Sequence, residues 1–384
     1  MAGQHNAALP DGLEFGGYRI VKKIAAGGFS IVYLAEDGDG NAVAIKEYLP
    51  ASLVSRKTGE LQPTVSPENL ELYRVGLKYF FDEGRALASI NHPNVVRVLN
   101  FFRAHDTVYL VMGYERGRSL QDHISRRRQK GDKPLVSELA IRIMFSQVMD
   151  ALREVHTRKL LHLDLKPANI YLRTDGAPIL LDFGAARQTL QTDLSKLHPM
   201  YTPGFASPEL YTKKELGPWT DIYSIGASIF NCMVGVPPQS ATERRRDDRM
   251  EQFYTELETL YSADLVRLVR WSLMLDPRKR PQSVFALQKP LREGSLFQRT
   301  AQPTVTDPSA FIDDLVYSAH LSLHRYRSRH RLPDTPRTTI VACLIQHGQA
   351  WWTHCGDSRL YWLRSGRLLA GTADHSHDEK LVSL

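Results

Sequence analysis

The chain has 384 residues, of which 42% are apolar and 24% are charged, and its formal net charge is +7. This ordinary globular composition suits two or three domains and excludes a collagen-like, low-complexity or wholly disordered chain. The modest positive charge is spread along the chain, so it favours acidic partners without indicating nucleic acid. The basic runs 126–128 and 244–246 are most simply interpreted as solvated surface.

The cysteines and the lengths of the apolar runs indicate in which cellular compartment the protein is expected. The three cysteines, Cys232, Cys343 and Cys355, form no Cys-x-x-Cys pair. We therefore expect small buried thiols and a reducing compartment. Residues 1–17 lack a basic region followed by an apolar stretch, so no secretory signal is expected. No run of about 18 apolar residues occurs, so we expect a cytoplasmic protein without a membrane span.

The first third of the chain predicts a small antiparallel sheet with one helix. Residues 1–17 are expected to be a flexible lead-in. Strand-like runs separated by glycine turns follow, and then a helix with Ser66 as its N-cap and Pro67 as its first residue. The strands are expected at 18–25, 30–35, 42–46, 95–102 and 107–112, and the apolar face of the helix at Leu70, Tyr73, Leu77, Phe80, Gly84 and Leu87.

From about Ser119 the pattern becomes mainly helical. The longest helix is predicted at 138–156, and the Gln-, Thr-, Ser- and Pro-rich stretch 291–309 predicts a linker. The apolar stripe of the long helix is expected to hold Leu139, Ile143, Met144, Val148, Leu152 and Val155. Further strands are predicted at 170–172, 179–181, 338–345, 350–354 and 359–363, and further helices at 221–234, 264–275 and 310–326.

Two features of the predicted sheet suit a bound phosphate. The turn Ala26–Ser30 contains Gly27-Gly28, whose backbone N–H groups can approach an anion closely, although such hairpin turns are common for structural reasons alone. Lys46 ends the third strand, where lysine is usually a surface group. Glu83 lies on or beside the buried stripe of the helix, where an unpaired carboxylate is costly. A Lys46–Glu83 ion pair would satisfy both groups.

Polar residues are concentrated in two later segments. His162–Asn169 follows the long helix, and Asp182-Phe183-Gly184 follows the apolar strand 179–181. An aspartate in either segment, taken alone, could be a turn residue or a helix cap. In this order, however, the chain offers a phosphate cradle, a fixed cation, metal-binding carboxylates and an acceptor for a hydroxyl proton, which are the parts that phosphoryl transfer requires.

Through these motifs, residues 18–290 resemble a eukaryotic-type serine/threonine protein kinase domain of the bacterial kind. The resemblance implies an α+β, two-lobed fold with a sheet lobe at 18–112 and a helical lobe at 113–290. It also implies an enzyme that uses ATP and Mg²⁺ to phosphorylate Ser and Thr hydroxyls of protein substrates, with no nucleic-acid partner and with the oligomeric state open. A nucleotide-binding pseudokinase that signals by shape is the alternative.

The resemblance also implies the role of each site residue. Asp164 is the expected catalytic base, and Lys166 supports the γ-phosphate. Lys46, paired with Glu83, contacts the α- and β-phosphates. The expected nucleotide-binding residues are Ala25, Ala26, Gly27, Gly28, Phe29, Ser30, Val32, Ala44, Lys46, Met112, Tyr114, Asn169 and Asp182, of which Asn169 and Asp182 hold Mg²⁺. Structural roles are expected for Asp221 and for Glu209 paired with Arg280.

Several positions depart from the family pattern. Ala25 and Ser30 stand in for two glycines of the phosphate-binding turn, and Gly113 replaces a common hinge glutamate. Leu163 stands where many members have an arginine that binds a phosphorylated activation loop. Leucine cannot bind an oxyanion, so we expect activity that does not depend on phosphorylation of the loop 182–209.

Residues 310–384 resemble the middle of a metal-dependent type 2C protein phosphatase. The motifs that carry this resemblance are Thr338-Thr339, Gly356–Arg359 and Thr372–Ser376. That family also needs aspartates from an Asp-Gly-x-Gly-Gly segment, which the preceding chain lacks. We therefore expect an incomplete α/β segment without phosphatase activity, in which Asp357 and Asp374 are turn residues. A kinase–phosphatase switch in one chain is the remaining alternative.

Overall fold

The computed structural model describes residues 6–182, 187–188, 201–212, 215–293, 340–346, 349–355, 361–364 and 367–371. The chain divides into two compact units, Met1–Gly294 and Ser295–Leu384. Within the described ranges, no helix is both long enough and apolar enough to cross a membrane.

The first lobe of the first unit is built on an antiparallel sheet. Its elements in chain order are β1 Glu14–Phe15, β2 Tyr18–Ala26, β3 Ser30–Asp37, β4 Ala42–Tyr48, β5 Val54–Ser55, β6 Thr64–Val65, α1 Leu70–Ala88, β7 Val98–Ala104 and β8 Thr107–Gly113. Six strands form the main sheet in the order β1-β2-β3-β4-β8-β7, while β5 and β6 form a separate hairpin. Each strand predicted in this part of the chain is confirmed to within a few residues at its ends.

Helix α1 packs closely on this sheet because two of its buried positions are glycines. A Cβ at Gly76 would overlap the hydroxyl of Tyr48, which ends β4. A Cβ at Gly84 would lie 2.8 Å from Cδ1 of Leu110 on β8. The helix begins a few residues later than predicted, since a 3₁₀ turn separates Ser66 from it and the serine side chain makes no cap.

Residues 6–17, for which the sequence predicts a flexible lead-in, belong to this lobe. Leu9 is 2% exposed, and its N–H donates to the Tyr33 hydroxyl at 3.1 Å. Strand β1 pairs with β2, so that Phe15 lies opposite Tyr18. The prediction is wrong for these residues because one buried leucine and a few backbone hydrogen bonds leave no periodic pattern in the sequence.

The second lobe is mainly helical. Its elements are β9 Gly117–Ser119, α2 Leu120–Lys130, α3 Glu138–Thr157, β10 Leu160–Leu161, β11 Ile170–Arg173, β12 Pro178–Leu180, β13 Arg187–Gln188, α4 Pro208–Thr212, α5 Pro218–Val234, α6 Ala241–Arg244, α7 Met250–Leu257, α8 Ala263–Ser272 and α9 Val284–Glu293. Helix α3 packs against α5 and α9, and α5 packs against α8. Ser119, Ser137 and Ser262 cap α2, α3 and α8 by accepting a backbone N–H of the first turn, which contributes about 1 kcal/mol each. The predicted linker at 291–309 begins within α9.

The apolar stripe predicted for α3 is wrong at its N-terminal end. Leu139 is 37% exposed and Ile143 is 53% exposed. The buried face passes through Ile141 and Phe145 instead, and α5 and α9 are among the elements that pack against this helix. The other predicted residues of the stripe are buried, namely Met144, Val148, Leu152 and Val155.

The second unit contains two antiparallel hairpins among its described residues. They pair β14 Ile340–Gln346 with β15 Gln349–Cys355, and β16 Tyr361–Arg364 with β17 Arg367–Gly371. The first three of these strands match predictions, and β17 has no counterpart among them. The predicted helix 310–326 and the three phosphatase-like motifs lie outside the described residues.

Candidate active site

A fixed cation lies on β4. Lys46 is 6% exposed, its ammonium forms an ion pair with the Asp182 carboxylate, and it lies 5.6 Å from the centre of the Phe80 ring. Burial is the strongest influence on the pKa of Lys46 and lowers it, but the carboxylates of Asp182 and Glu83 outweigh burial and raise that pKa overall. The ammonium therefore stays charged although it is removed from solvent.

The predicted ion pair between Lys46 and Glu83 is not formed directly. Glu83 is half-buried on α1, and the ion pair that Lys46 makes is with Asp182. Burial raises the pKa of Glu83 to about 7, with Lys46 lowering it and Asp182 raising it. The difference arises because Asp182, just beyond β12 in a left-handed backbone conformation (φ +54°), already takes the ammonium.

The residues predicted to surround the nucleotide base share one face of the sheet. Val32 is the cross-strand partner of Lys46, and Ala44 is that of Met112. Cross-strand partners lie on the same face, as do residues two apart on one strand. Val32, Ala44 and Met112 are half-buried there. Tyr114 follows β8 directly, where the chain passes to the helical lobe.

The predicted phosphate cradle, residues 25–30, is the hairpin between β2 and β3. The N–H of Gly27 donates to the carbonyl of Ser30 at 2.9 Å, which closes the turn. Two further carbonyls of the turn accept N–H groups of the segment 49–51 at 2.8 and 2.9 Å. The turn is thereby tied to the segment that directly follows β4, the strand that carries Lys46.

Asp164 is the centre of a hydrogen-bonded cluster between β10 and β11. The Lys166 ammonium donates to its Oδ2 at 2.7 Å and to its Oδ1 at 3.0 Å. Asn169 Nδ2 donates to the carbonyl of Asp164 at 2.8 Å and to Oδ2 at 3.1 Å. The Thr202 hydroxyl donates to Oδ1 at 3.2 Å and accepts from Lys166 at 2.9 Å. The predicted residues Asp164, Lys166 and Asn169 are thus brought together, with Thr202 as a fourth member.

Asp221, on α5, fixes the backbone just before Asp164. Its two carboxylate oxygens accept the N–H groups of His162 and Leu163 at 2.9 and 2.8 Å, and His156 Nε2 lies 2.7 Å from Oδ2. Burial is the strongest influence on the pKa of Asp221 and raises it, but the hydrogen bonds lower that pKa overall. The ionised carboxylate holds Leu163 in a left-handed conformation (φ +62°), which is strained for a residue with a side chain.

The pairing of Glu209 with Arg280 is confirmed. Both guanidinium Nη atoms donate to the carboxylate, at 2.7 and 2.8 Å, and both side chains are buried. Thr220 donates to Glu209 at 3.0 Å, and Arg280 also donates to the carbonyl of Trp219 at 2.9 Å. This pair joins α4 to the start of α5 and to the segment just before α9.

The two predicted magnesium ligands fit the ion chemically. Asn169 uses its amide nitrogen for Asp164, which leaves its Oδ1 as the atom able to face a cation, and Asp182 offers a carboxylate. Mg²⁺ prefers such oxygen ligands and is usually held by one or two of them together with substrate phosphates. Among the described residues, no group of three or more His, Cys, Asp and Glu side chains forms a metal site of its own.

Comparison with known proteins decides the family, since the protein kinase domain matches residues 18–291. The chain belongs to the protein kinase family. The solved structure "PpkA-294 apo form" is similar to this kinase with a TM-score of 0.65 and 32% identity, covering 74% of this chain and 99% of that one. The kinase domain of Mycobacterium tuberculosis PknI shares the fold with a TM-score of 0.55 at 23% identity, covering 75% of this chain and 100% of that one.

Curated relatives of the kinase carry serine/threonine kinase names. "Putative serine/threonine-protein kinase A" of Trypanosoma brucei brucei is 26% identical over 262 residues, which are 67% of this chain and 56% of the relative. "Probable serine/threonine-protein kinase PknB" of Lactococcus lactis subsp. lactis (strain IL1403) is 29% identical over 222 residues, 58% of this chain and 32% of the relative. The chain thus spans about half or less of the length of these relatives. The predicted two-lobed kinase fold is confirmed.

Two further residues of the kinase site, Thr202 and His156, stand outside the motifs of the sequence. Thr202 is 38 residues from Asp164, and a threonine in a polar loop carries no signal of its own. His156 is 65 residues from Asp221, although a histidine in the last turn of a helix does suit the helix dipole.

Proposed function

We propose that this kinase transfers the γ-phosphoryl group of ATP to serine and threonine hydroxyls of protein substrates by in-line displacement. The main support is the cluster in which an ammonium, an amide and a hydroxyl hold the Asp164 carboxylate. Asp164 would accept the proton of the incoming hydroxyl and orient it, while Lys166 offsets negative charge on the transferred group. Such positioning supplies most of the catalysis, because the reaction asks little covalent chemistry of the protein.

The nucleotide would bind on the sheet face formed by Val32, Ala44 and Met112, with its phosphates at the turn 25–30 and at Lys46. Asn169 and Asp182 would hold Mg²⁺, which supplies neutralising charge for the phosphates. Asp182 cannot serve Lys46 and the metal fully at once. We therefore infer that Glu83, whose charge already acts on Lys46, is the partner of the ammonium in the active arrangement.

The proposed activity does not depend on phosphorylation of the activation loop. Leu163 is buried in an apolar cluster with Ala206 and Leu210, so apolar packing joins the catalytic loop to the segment before α4. A phosphate would find no arginine at this position. Replacing the loop residues Thr189, Thr192 and Ser195 together by alanine should leave kcat within about threefold, and a loss of about a hundredfold would contradict the proposal.

The deciding experiment is transfer of labelled γ-phosphate to a generic basic protein and to the chain itself. Asp164→Asn should lower kcat by at least about a thousandfold and leave MgATP affinity within about twofold. The turn aspartate variant Asp175→Asn is the matched control and should behave as wild type. Label should be found on serine or threonine. Nucleotide binding without transfer by the wild type would instead favour the pseudokinase alternative.

We propose that residues 310–384 are an incomplete segment of a type 2C phosphatase without phosphatase activity. The support is the set of three short motifs without the upstream Asp-Gly-x-Gly-Gly segment. Hydrolysis of a phosphopeptide by the full-length Asp164→Asn variant in Mn²⁺ measures this directly. A rate that rises with Mn²⁺ and falls in Asp357→Asn would revive the kinase–phosphatase switch.

We propose a reducing, cytoplasmic location for this kinase. The sequence holds no Cys-x-x-Cys pair, and Cys232 is a buried free thiol in α5 whose burial raises its pKa. Cell fractionation tests this location, and recovery with an oxidising, extracellular fraction would contradict it.

A further inference from the structure

A buried charged cluster lies directly behind the catalytic lysine. It consists of Tyr33, Glu47, Arg56 and Tyr109, and we name it the Glu47 cluster. Arg56 makes a two-pronged contact with the carboxylate of Glu47, at 2.5 and 2.7 Å, and neither side chain of this pair is exposed. The hydroxyls of Tyr33 and Tyr109 donate to the same carboxylate at 2.7 and 2.9 Å. Glu47 is therefore satisfied on both oxygens within the protein.

The Glu47 cluster ties together the three strands at the centre of the sheet. Glu47 follows Lys46 on β4, and successive side chains of a strand point to opposite faces, so the cluster lies on the face opposite the nucleotide. Tyr109 is the partner of Glu47 on β8, and Tyr33 comes from β3 on the other side. Any twist of β4 that moved Lys46 would have to break these hydrogen bonds.

The N-terminal residues complete the cluster from outside. Residues 6–9, which we name the strap, run beside Arg56. The backbone N–H of Arg56 donates to Asn6 Oδ1 at 2.9 Å, its Nε donates to the Ala7 carbonyl at 2.9 Å, and its carbonyl accepts the Ala7 N–H at 3.0 Å. Leu9 donates its N–H to Tyr33 at 3.1 Å. The strap therefore holds both Arg56 and Tyr33.

A gain in the stability of the folded protein does not by itself explain why this site holds a buried charged cluster. Desolvation of two charges roughly cancels their attraction, so apolar residues of similar volume often serve a core equally well. Burial, and then Glu47, raise the pKa values of Tyr33 and Tyr109, so both hydroxyls stay protonated and can only donate to the carboxylate. The directional hydrogen bonds of this arrangement fix geometry more strictly than apolar contacts do.

We propose that Glu47 and Arg56 are positioning residues for Lys46, and that the strap holds them in place. The inference rests on the proposed function, in which the Lys46 ammonium binds the phosphates of ATP. The N-terminal segment is thereby a support of the nucleotide site on the far side of the sheet, although it touches no part of that site.

The test replaces the pair by uncharged residues of similar size in the full-length kinase. The variant is the double substitution Glu47→Gln with Arg56→Met, which keeps an acceptor for a tyrosine hydroxyl. The matched control is Arg19→Met with Glu36→Gln, an exposed pair at 2.5 Å between β2 and β3 of the same sheet. Tm, kcat, and KM for both ATP and the protein substrate are measured for each, together with Leu9→Ala as a weaker disturbance of the strap.

A displaced Lys46 should raise KM for ATP at least about fivefold and lower kcat, with KM for the protein substrate unchanged. Leu9→Ala should move KM for ATP in the same direction, and the control should match wild type. If Glu47 and Arg56 only stabilised the fold, their replacement would lower the fraction of active enzyme and hence the apparent kcat. KM for ATP would then be unchanged. A folded double variant with KM for ATP within twofold of wild type overturns the inference, and if that variant does not fold, Leu9→Ala decides by the same criterion.

The test distinguishes this inference from the proposed function. Absence of transfer by the wild type would defeat the proposed function, and the Kd for MgATP then replaces KM in the same comparison. A fivefold weaker Kd in the double variant would still support positioning of Lys46, and an unchanged Kd would overturn it.

Discussion

Replacing Asp221 by asparagine should disable the catalytic loop without touching the nucleotide face. The carboxylate accepts the N–H groups of His162 and Leu163, one on each oxygen. Asparagine offers one accepting oxygen, so one of these N–H groups would face an NH₂ group and lose its partner. Leu163 would then be free to leave its left-handed conformation (φ +62°).

The size of the effect follows from these two losses. An unsatisfied buried N–H costs about 1–3 kcal/mol, and the left-handed conformation of a residue with a side chain stores about 1–2 kcal/mol. The native loop therefore loses about 2–5 kcal/mol of support relative to a relaxed one. If this appears wholly in the transition state, kcat falls by about 30- to 5000-fold. Tm should fall by several degrees.

Steady-state kinetics and thermal unfolding measure this prediction together, at a temperature well below Tm. We expect a lower kcat with an unchanged KM for ATP, because Lys46 and its sheet face make no contact with Asp221. The exposed pair of Asp264 with Arg267 on α8 supplies the control Asp264→Asn, which should behave as wild type. A folded Asp221→Asn enzyme with kcat within threefold of wild type would refute the role given to this carboxylate.

Two other carboxylates, Glu209 and Glu83, give further predictions. Arg280→Met leaves Glu209 buried without its cation, so the free energy of unfolding by denaturant should fall by about 3–5 kcal/mol, and a fall below 1 kcal/mol would contradict the pairing. Glu83 has its pKa raised from 4.5 to about 7, so the folded state keeps a proton that the unfolded state releases between these values. The free energy of unfolding should therefore decline as pH rises through this window. Activity that needs ionised Glu83 should rise through about pH 7. Glu83→Gln should remove both pH dependences.

Much of the fold could be predicted because its elements carry local patterns. Alternation and glycine turns located the strands of the main sheet, and the helix predicted at 138–156 is observed at Glu138–Thr157. The errors occur where a remote contact decides burial. Arg56 lies in a polar stretch typical of an exposed loop, yet Glu47 and the strap bury it. Nothing in the local sequence of either segment reveals that contact.

The candidate site was predicted by motif and spacing, which identify residue types but not the choice between partners. Asp164, Lys166 and Asn169 lie within six residues of chain, so their cluster follows from one loop. Lys46 instead has two carboxylates within reach from distant segments, 136 residues away in the case of Asp182. Which of them takes the ammonium depends on the backbone after β12, where Asp182 has a positive φ that no sequence pattern specifies.

In this kinase, carboxylates that do not themselves react hold the reacting side chains in position. Among the described residues, the buried carboxylates are Glu47, Glu209 and Asp221. Each is satisfied by donors from distant segments, as burial of a charge requires. Glu47 adjoins Lys46, Asp221 holds the two residues before Asp164, and Glu209 anchors the end of the activation segment. A buried charge with several remote donors tolerates little displacement, so each reacting group is held by a neighbour whose geometry the rest of the fold determines.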